Sequence, residues 1–184
     1  MQWAKRVKVS PYYSHVEENP SKVRKKLNKN AQGFYILKHG DQVAREYAPK
    51  FAQKSIEIKL SITRGKEKSG VLISHGGNRC GYSLYLVDGR PVFSCRLEGA
   101  LHTVRAPKIL PKERAFLSAE LLSDGKVFLK IDGKMEGAGK LPVLFNSHPQ
   151  DPLEIGNDSQ STVVAYDSSP RFKGKLHEVK LKLK

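Results

Sequence analysis

Ile56, Ile58, Leu60 and Ile62 alternate with Glu57, Lys59 and Ser61, and this period of two constrains the chain more than any other feature. Successive side chains of a strand point to opposite faces, so the pattern buries one face and wets the other. The same reading recurs over Gly70 to Ser74, Gly81 to Val87, Pro91 to Leu97, Leu101 to Ala106, Arg114 to Leu122, Lys126 to Ile131, Lys134 to Gly139 and Phe172 to Leu183. Turn signals stand between these runs: Gly76-Gly77-Asn78, Asp88-Gly89, Glu98-Gly99, Ser123-Asp124-Gly125 and Asp132-Gly133. Strands spaced about 8 to 12 residues apart by such turns predict an all-β, two-sheet antiparallel sandwich or barrel with hardly any helix inside it.

Two hairpins fix their own registers. A two-residue turn at Asp88-Gly89 pairs Val87 with Arg90, which sets Leu86, Leu84 and Tyr82 against Pro91, Phe93 and Cys95 on the core side. Ser83, Tyr85, Val92, Ser94 and Arg96 then share the other side. In the second hairpin a three-residue loop with Gly125 left-handed aligns Leu117, Ala119 and Leu121 with Ile131, Leu129 and Val127. A two-residue turn would instead oppose Leu121 to Phe128, and a slip of one residue turns every side chain to the wrong face. Cys95 therefore lies inside and diagonal to Cys80, which is poor geometry for a bridge, and a free buried thiol is expected.

At 184 residues the chain has room for one substantial two-layer core and a terminal extension. No apolar run approaches the roughly 18 to 20 residues that cross a bilayer. Met1 to Pro20 lacks the apolar stretch of a secretory signal, so the chain either stays inside the cell or is a piece of something longer. The two cysteines lack the paired spacing of a structural zinc site. The formal net charge of +15 predicts attraction to polyanions such as nucleic acid, anionic lipid or acidic polysaccharide. Residues 1–32 hold eight Lys/Arg against Glu17 and Glu18 and read as a basic tail, with short helices over residues 1–13 and after Pro20 through Asn30; residues 33–184 read as the sandwich.

Several stretches together resemble a known family. They are Gly70-Val71-Leu72-Ile73-Ser74-His75-Gly76-Gly77, Gly81-Tyr82-Ser83-Leu84-Tyr85-Leu86 with Asp88-Gly89, and Asp124 to Lys134; the closing Phe172-Lys173-Gly174-Lys175-Leu176 with Val179 completes the set. Their order and spacing over Phe34 to Leu183 are similar to the laminin-G or concanavalin-like jelly roll carried at the C-terminus of some bacterial arylsulfatases. Trp3-Ala4-Lys5-Arg6-Val7, with Val9 and Pro11, resembles the last segment of the catalytic region in that family. The resemblance implies an appended domain, an exported parent protein and a sulfatase core elsewhere.

The resemblance does not carry the family's catalysis onto these residues. Family sulfatases depend on a Cys or Ser in a C/S-x-P-S-R-type motif and on a calcium in the catalytic domain. Cys80 opens Cys-Gly-Tyr-Ser-Leu, Cys95 opens Cys-Arg-Leu-Glu-Gly, and Ser168 has its arginine one position too early. The six histidines, His15, His39, His75, His102, His148 and His177, show no HExxH or close pairing. No GxSxG or Walker loop is present, and the strand acids Glu57, Glu120 and Glu178 fall on the outward parity of different strands, which does not suit a glycosidase pair. Asn157, Asp158 and Asp167 match no tight calcium loop and read as turn formers. No catalytic residue, metal or cofactor is therefore assigned.

A binding role remains. Ser83, Tyr85, Ser94 and Arg96 offer one ring with hydroxyls and a cation, and His102 and Arg105 add positive charge. A sulfated or uronic polysaccharide uses such a ring for stacking and arginine for a bidentate grip on an oxyanion. The leading expectation is a non-catalytic accessory module that binds acidic carbohydrate or packs on a sulfatase catalytic domain. A protein–protein or oligomerisation domain is the alternative. Nucleic acid is disfavoured, because aromatics do not interleave with Lys/Arg on one sheet apart from Tyr85.

Overall fold

The computed structural model describes Val23, Arg24 and residues 26–184. Among the described residues thirteen strands form two sheets: β1 (Val23–Arg24), β2 (Tyr35–Leu37), β3 (Gln42–Val43), β4 (Ile56–Thr63), β5 (Gly70–Gly76), β6 (Gly81–Val87), β7 (Arg90–Leu97), β8 (Ala100–Arg105), β9 (Arg114–Leu121), β10 (Lys126–Ile131), β11 (Lys134–Lys140), β12 (Leu153–Ile155) and β13 (Lys175–Leu183). The front sheet runs β1-β3-β12-β5-β6-β7-β8 and the back sheet β11-β10-β9-β4-β13-β2. All pairings are antiparallel except β1 with β3. Among the described residues there is no helix long and apolar enough to cross a membrane.

Both hairpin registers hold. Val87 pairs with Arg90 and Tyr82 with Cys95 around a turn whose two residues, Asp88 (φ 50°) and Gly89 (φ 74°), are both left-handed. Such a turn matches the twist of the strands it joins. Leu117, Ala119 and Leu121 face Ile131, Leu129 and Val127, with Gly125 at φ 81° closing the loop. The alternating isoleucines of β4 are all buried and pack with the inward residues of β9, β10 and β13 against Leu84, Leu86 and Phe93 of the front sheet. Cys95 is buried and both cysteines are free.

Some expectations need correction. The basic stretch after Pro20 is extended where it is described: β1 adds to the front sheet and Lys29 bridges Tyr35. Its helical periodicity was weak, and pairing to β3 satisfies the backbone groups instead. The helix expected over residues 1–13 lies outside the described residues. The last strand begins at Lys175 rather than Phe172, because the chain at Arg171 first bridges Val71 in parallel.

That bridge decides what covers the front sheet. Val71 donates its N–H to the Pro170 carbonyl at 2.7 Å, so the two backbones run close together. Gly70, at φ 130°, has no room for a side chain: a Cβ there would lie 2.7 Å from Phe172 Cα. A bulge at Leu72 turns Val71 outward while Leu72 and Ile73 enter the core. Val71, Tyr85 and Val92 then pack under Val163 and Val164 as a second apolar layer, so β5, β6 and β7 are buried on both faces.

Candidate functional site

The outward stripe on β6 and β7 forms the floor beneath the segment 157–170. Ser83 and Ser94 are 0% exposed and Tyr85 is 4% exposed. Tyr85 Oη lies 3.1 Å from Ser94 Oγ, which in turn lies 2.8 Å from Thr103 Oγ1, a chain of hydroxyls across three strands. Burial pushes the Tyr85 hydroxyl above its ordinary pKa; the Ser94 hydrogen bond and nearby Arg105 oppose that shift and Asp167 adds to it. The Tyr166 ring meets Tyr85 edge-on at 5.3 Å.

Asp158 organises the cover from within. Its Oδ2 accepts the Val163 N–H at 3.0 Å and the Tyr166 hydroxyl at 2.7 Å. Tyr166 Oη also lies 2.9 Å from Ser83 Oγ, and since it has one proton to give, the serine hydroxyl completes the contact as donor when Tyr166 serves the carboxylate. Desolvation is the largest influence on Asp158 and raises its pKa to about 6 despite these hydrogen bonds, with Glu154 and Asp151 adding repulsion. Glu154 is likewise buried and holds Gln42 Nε2 and the backbone and hydroxyl of Ser159. Arg96 donates from Nε to the Val163 carbonyl at 2.8 Å and from its guanidinium to the Gly99 carbonyl at 2.8 Å.

The residues expected to form one open platform therefore divide. Ser83 and Arg96 fasten the covering segment to the sheet, and Ser94 links Tyr85 to Thr103 within it. Tyr85 on β6 and Arg105 on β8 come together on either side of Val92 of β7, at a cleft of about 290 Å³ lined also by Tyr166, Asp167, Ser168, Ser169 and Asp88. His102 does not join them. It pairs with Cys95 and so points to the opposite face of the sheet, because positions 102 and 105 differ by an odd number along a strand. It lies instead beside Glu98, Val143 and Asn146.

Sequence reasoning missed Tyr166, Ser168, Ser169 and the organising role of Asp158. One signal was present: Val71, Tyr85 and Val92 are apolar or aromatic on an otherwise polar parity, which an open solvated face does not require. Asn157 and Asp158 do shape a loop, but Asp158 reaches across it instead of closing a local turn. Among the described residues no three His, Cys, Asp or Glu side chains converge as a metal site would require.

No protein-family model and no curated protein sequence matches the chain. Solved structures match its fold. The LG1-3 region of the laminin alpha2 chain superposes with TM-score 0.59 at 13% identity, over 85% of this chain and 32% of that one. Domains LG4-5 of the mouse laminin alpha1 chain give TM-score 0.52 at 15% identity, over 83% and 39%. The receptor binding domain of botulinum neurotoxin D gives 0.50 at 11% identity, over 85% and 41%. The chain thus spans well under half the length of each. At such identities the likeness shows the fold alone: a laminin-G-like sandwich.

Proposed function

We propose that the chain is a non-catalytic binding module of an arylsulfatase-like protein, and that its outer cleft takes acidic or sulfated carbohydrate. The observation that supports this most is the exposed Arg105 beside Tyr85, in a cleft whose far wall is held in place by the Asp158–Tyr166–Ser83 contacts. Arg105 offers a planar fork to a sulfate or carboxylate. Asp88 and Asp167 accept from sugar hydroxyls, and Ser168 and Ser169 donate or accept. Both aspartates are exposed, outside the apolar enclosure a glycosidase gives its general acid. The +15 charge steers polyanions toward the surface. The sulfatase parentage rests on the sequence motifs.

An array of sulfated, uronic and neutral oligosaccharides at low salt tests the reading. Retention of acidic glycans that drops at least tenfold in Arg105→Ala supports it. Retention of none removes it, and a salt-sensitive shift of random DNA would favour the nucleic-acid alternative.

A second reading has its own observation. Phe116 is 61% exposed on the outer face of the back sheet, in a groove of about 250 Å³ with Lys59, Ser118 and Lys180. A ring of that size left in water suits a contact with another protein surface or a second copy. Light scattering at two concentrations tests self-association: a mass above the monomer that Phe116→Glu abolishes supports it.

A further inference from the structure

A different cavity lies at the end of the front sheet's inner face. It measures about 490 Å³, and its wall includes Arg45, Lys50, His75, His148, Pro49 and Pro149. His75 is 2% exposed, and its Nδ1 has no hydrogen-bond partner among the described residues. Its paired neighbour on β6, Tyr82, is fully buried, and its hydroxyl too has no partner among the described residues. Buried polar atoms nearly always find partners, and since His75 lines the cavity while Tyr82 lies deeper in the core, the His75 orphan marks a place where something is to be completed.

The surroundings say what. Arg45 and Lys50 are exposed and have no ion pair among the described residues. Among those residues the wall carries one carboxylate, Glu46, against these two cations and two imidazoles. His148 accepts the Ala52 N–H at Nδ1 (3.4 Å), so its Nε2 carries the proton and is a donor. The His75 ring meets Phe51 edge-on at 4.8 Å, and burial together with the nearby His148 holds it neutral down to about pH 3. A neutral imidazole has one N–H to give and chooses its tautomer to suit the partner. Ala48, Pro49 and Pro149 supply an apolar wall. Excess donors and cations around an apolar wall, in a volume typical of small-molecule sites, fit an anion carried on a ring-sized body.

We infer that this cavity is a second binding site, separate from the outer cleft, for a small organic oxyanion: a carboxylate or sulfate ester on a ring, gripped by Arg45 and Lys50 with His75 as the buried hydrogen-bond partner.

The test titrates glucuronate, glucose 6-sulfate and neutral glucose into the isotope-labelled chain and follows the ring nitrogens of His75 and His148. Saturable shifts are expected with at least one of the anions, at least tenfold weaker with glucose. The head group that binds is thereby assigned. Arg45→Ala/Lys50→Ala, both on exposed positions that leave the core intact, is expected to weaken the anion at least tenfold, and Arg105→Ala to leave it within about twofold. Absence of a saturable His75 shift with both anions overturns the site, as does glucose binding equally well or indifference to Arg45→Ala/Lys50→Ala. Shifts confined to Tyr85 and Arg105 overturn it too, while leaving the outer cleft standing.

Discussion

On the outer face of the front sheet Ser83 and Tyr85 find partners in Tyr166 and Ser94; on its inner face the adjacent Tyr82, with His75 beside it, finds none. Strand β6 thus takes part in two buried polar clusters with opposite fates, one shared with β7 on the outer face and one with β5 on the inner. The outer one is completed by a loop of the chain itself, and its polarity has become structural: Asp158, Tyr166 and Arg96 hold the wall of a cleft. The inner one has apolar rings on its core side and an open cavity at the sheet's end, and nothing among the described residues completes it. A buried polar group that the fold satisfies is scaffold, whereas one the fold leaves waiting points to a ligand.

The contrast can be broken most forcefully at Asp158. Asp158→Ala leaves the Tyr166 hydroxyl and Val163 N–H without their acceptor, and a loss of about 2–4 kcal/mol is expected in urea unfolding. Unchanged stability would mean that the cover is not held by this carboxylate. The same substitution at two tyrosines gives a sharper comparison. Tyr166→Phe is expected to cost about 1–3 kcal/mol, since it takes from a buried carboxylate one of its two donors.

The pH dependence of stability separates the clusters by sign. Asp158 is raised to about 6, so its contribution is full below the ordinary carboxylate range and is lost as pH rises through about 6. His75 is lowered to about 3, so its contribution is full above its ordinary value of 6.5 and is lost as pH falls toward 3. The two oppose each other between about pH 4 and 6. Asp158→Asn keeps the acceptor and removes the titration, so its stability should fall more steeply on acidification than the parent's, by up to about 1.4 kcal/mol per pH unit for one proton. His75→Phe should tilt the profile the other way. Melting temperatures across this range check both, and parallel profiles would contradict the assignment. Tyr82→Phe carries the smallest expected effect: stability within about 1 kcal/mol of the parent, or slightly higher, because it removes an unpaired hydroxyl. A loss as large as that of Tyr166→Phe would show that the Tyr82 hydroxyl has a partner after all.

Much of the sandwich was legible because turn chemistry and parity are local. The turn at Asp88-Gly89 puts Leu84, Leu86 and Phe93 on a common side, the loop Ser123–Gly125 does the same for Leu117, Leu121, Val127, Leu129 and Ile131, and the fold adopts both registers. The strands β2, β3 and β12 were not legible, since two or three residues hold no period. The site was half legible. Tyr85 and Arg105 do meet, but whether their face is open depends on where residues 157–170 travel, and that path is set by long-range contacts such as the Val71–Pro170 hydrogen bond. His102 fell on the wrong face for a plainer reason, an odd count along its strand.

The central proposal is that the outer cleft, not the buried stripe beneath it, is the carbohydrate-binding surface. An amide chemical-shift map with a sulfated oligosaccharide tests it most directly. Saturable shifts are expected to cluster at Tyr85, Arg105 and residues 166–169 and to vanish in Arg105→Ala. Shifts absent from that cleft, or unaltered by the loss of Arg105, would contradict it.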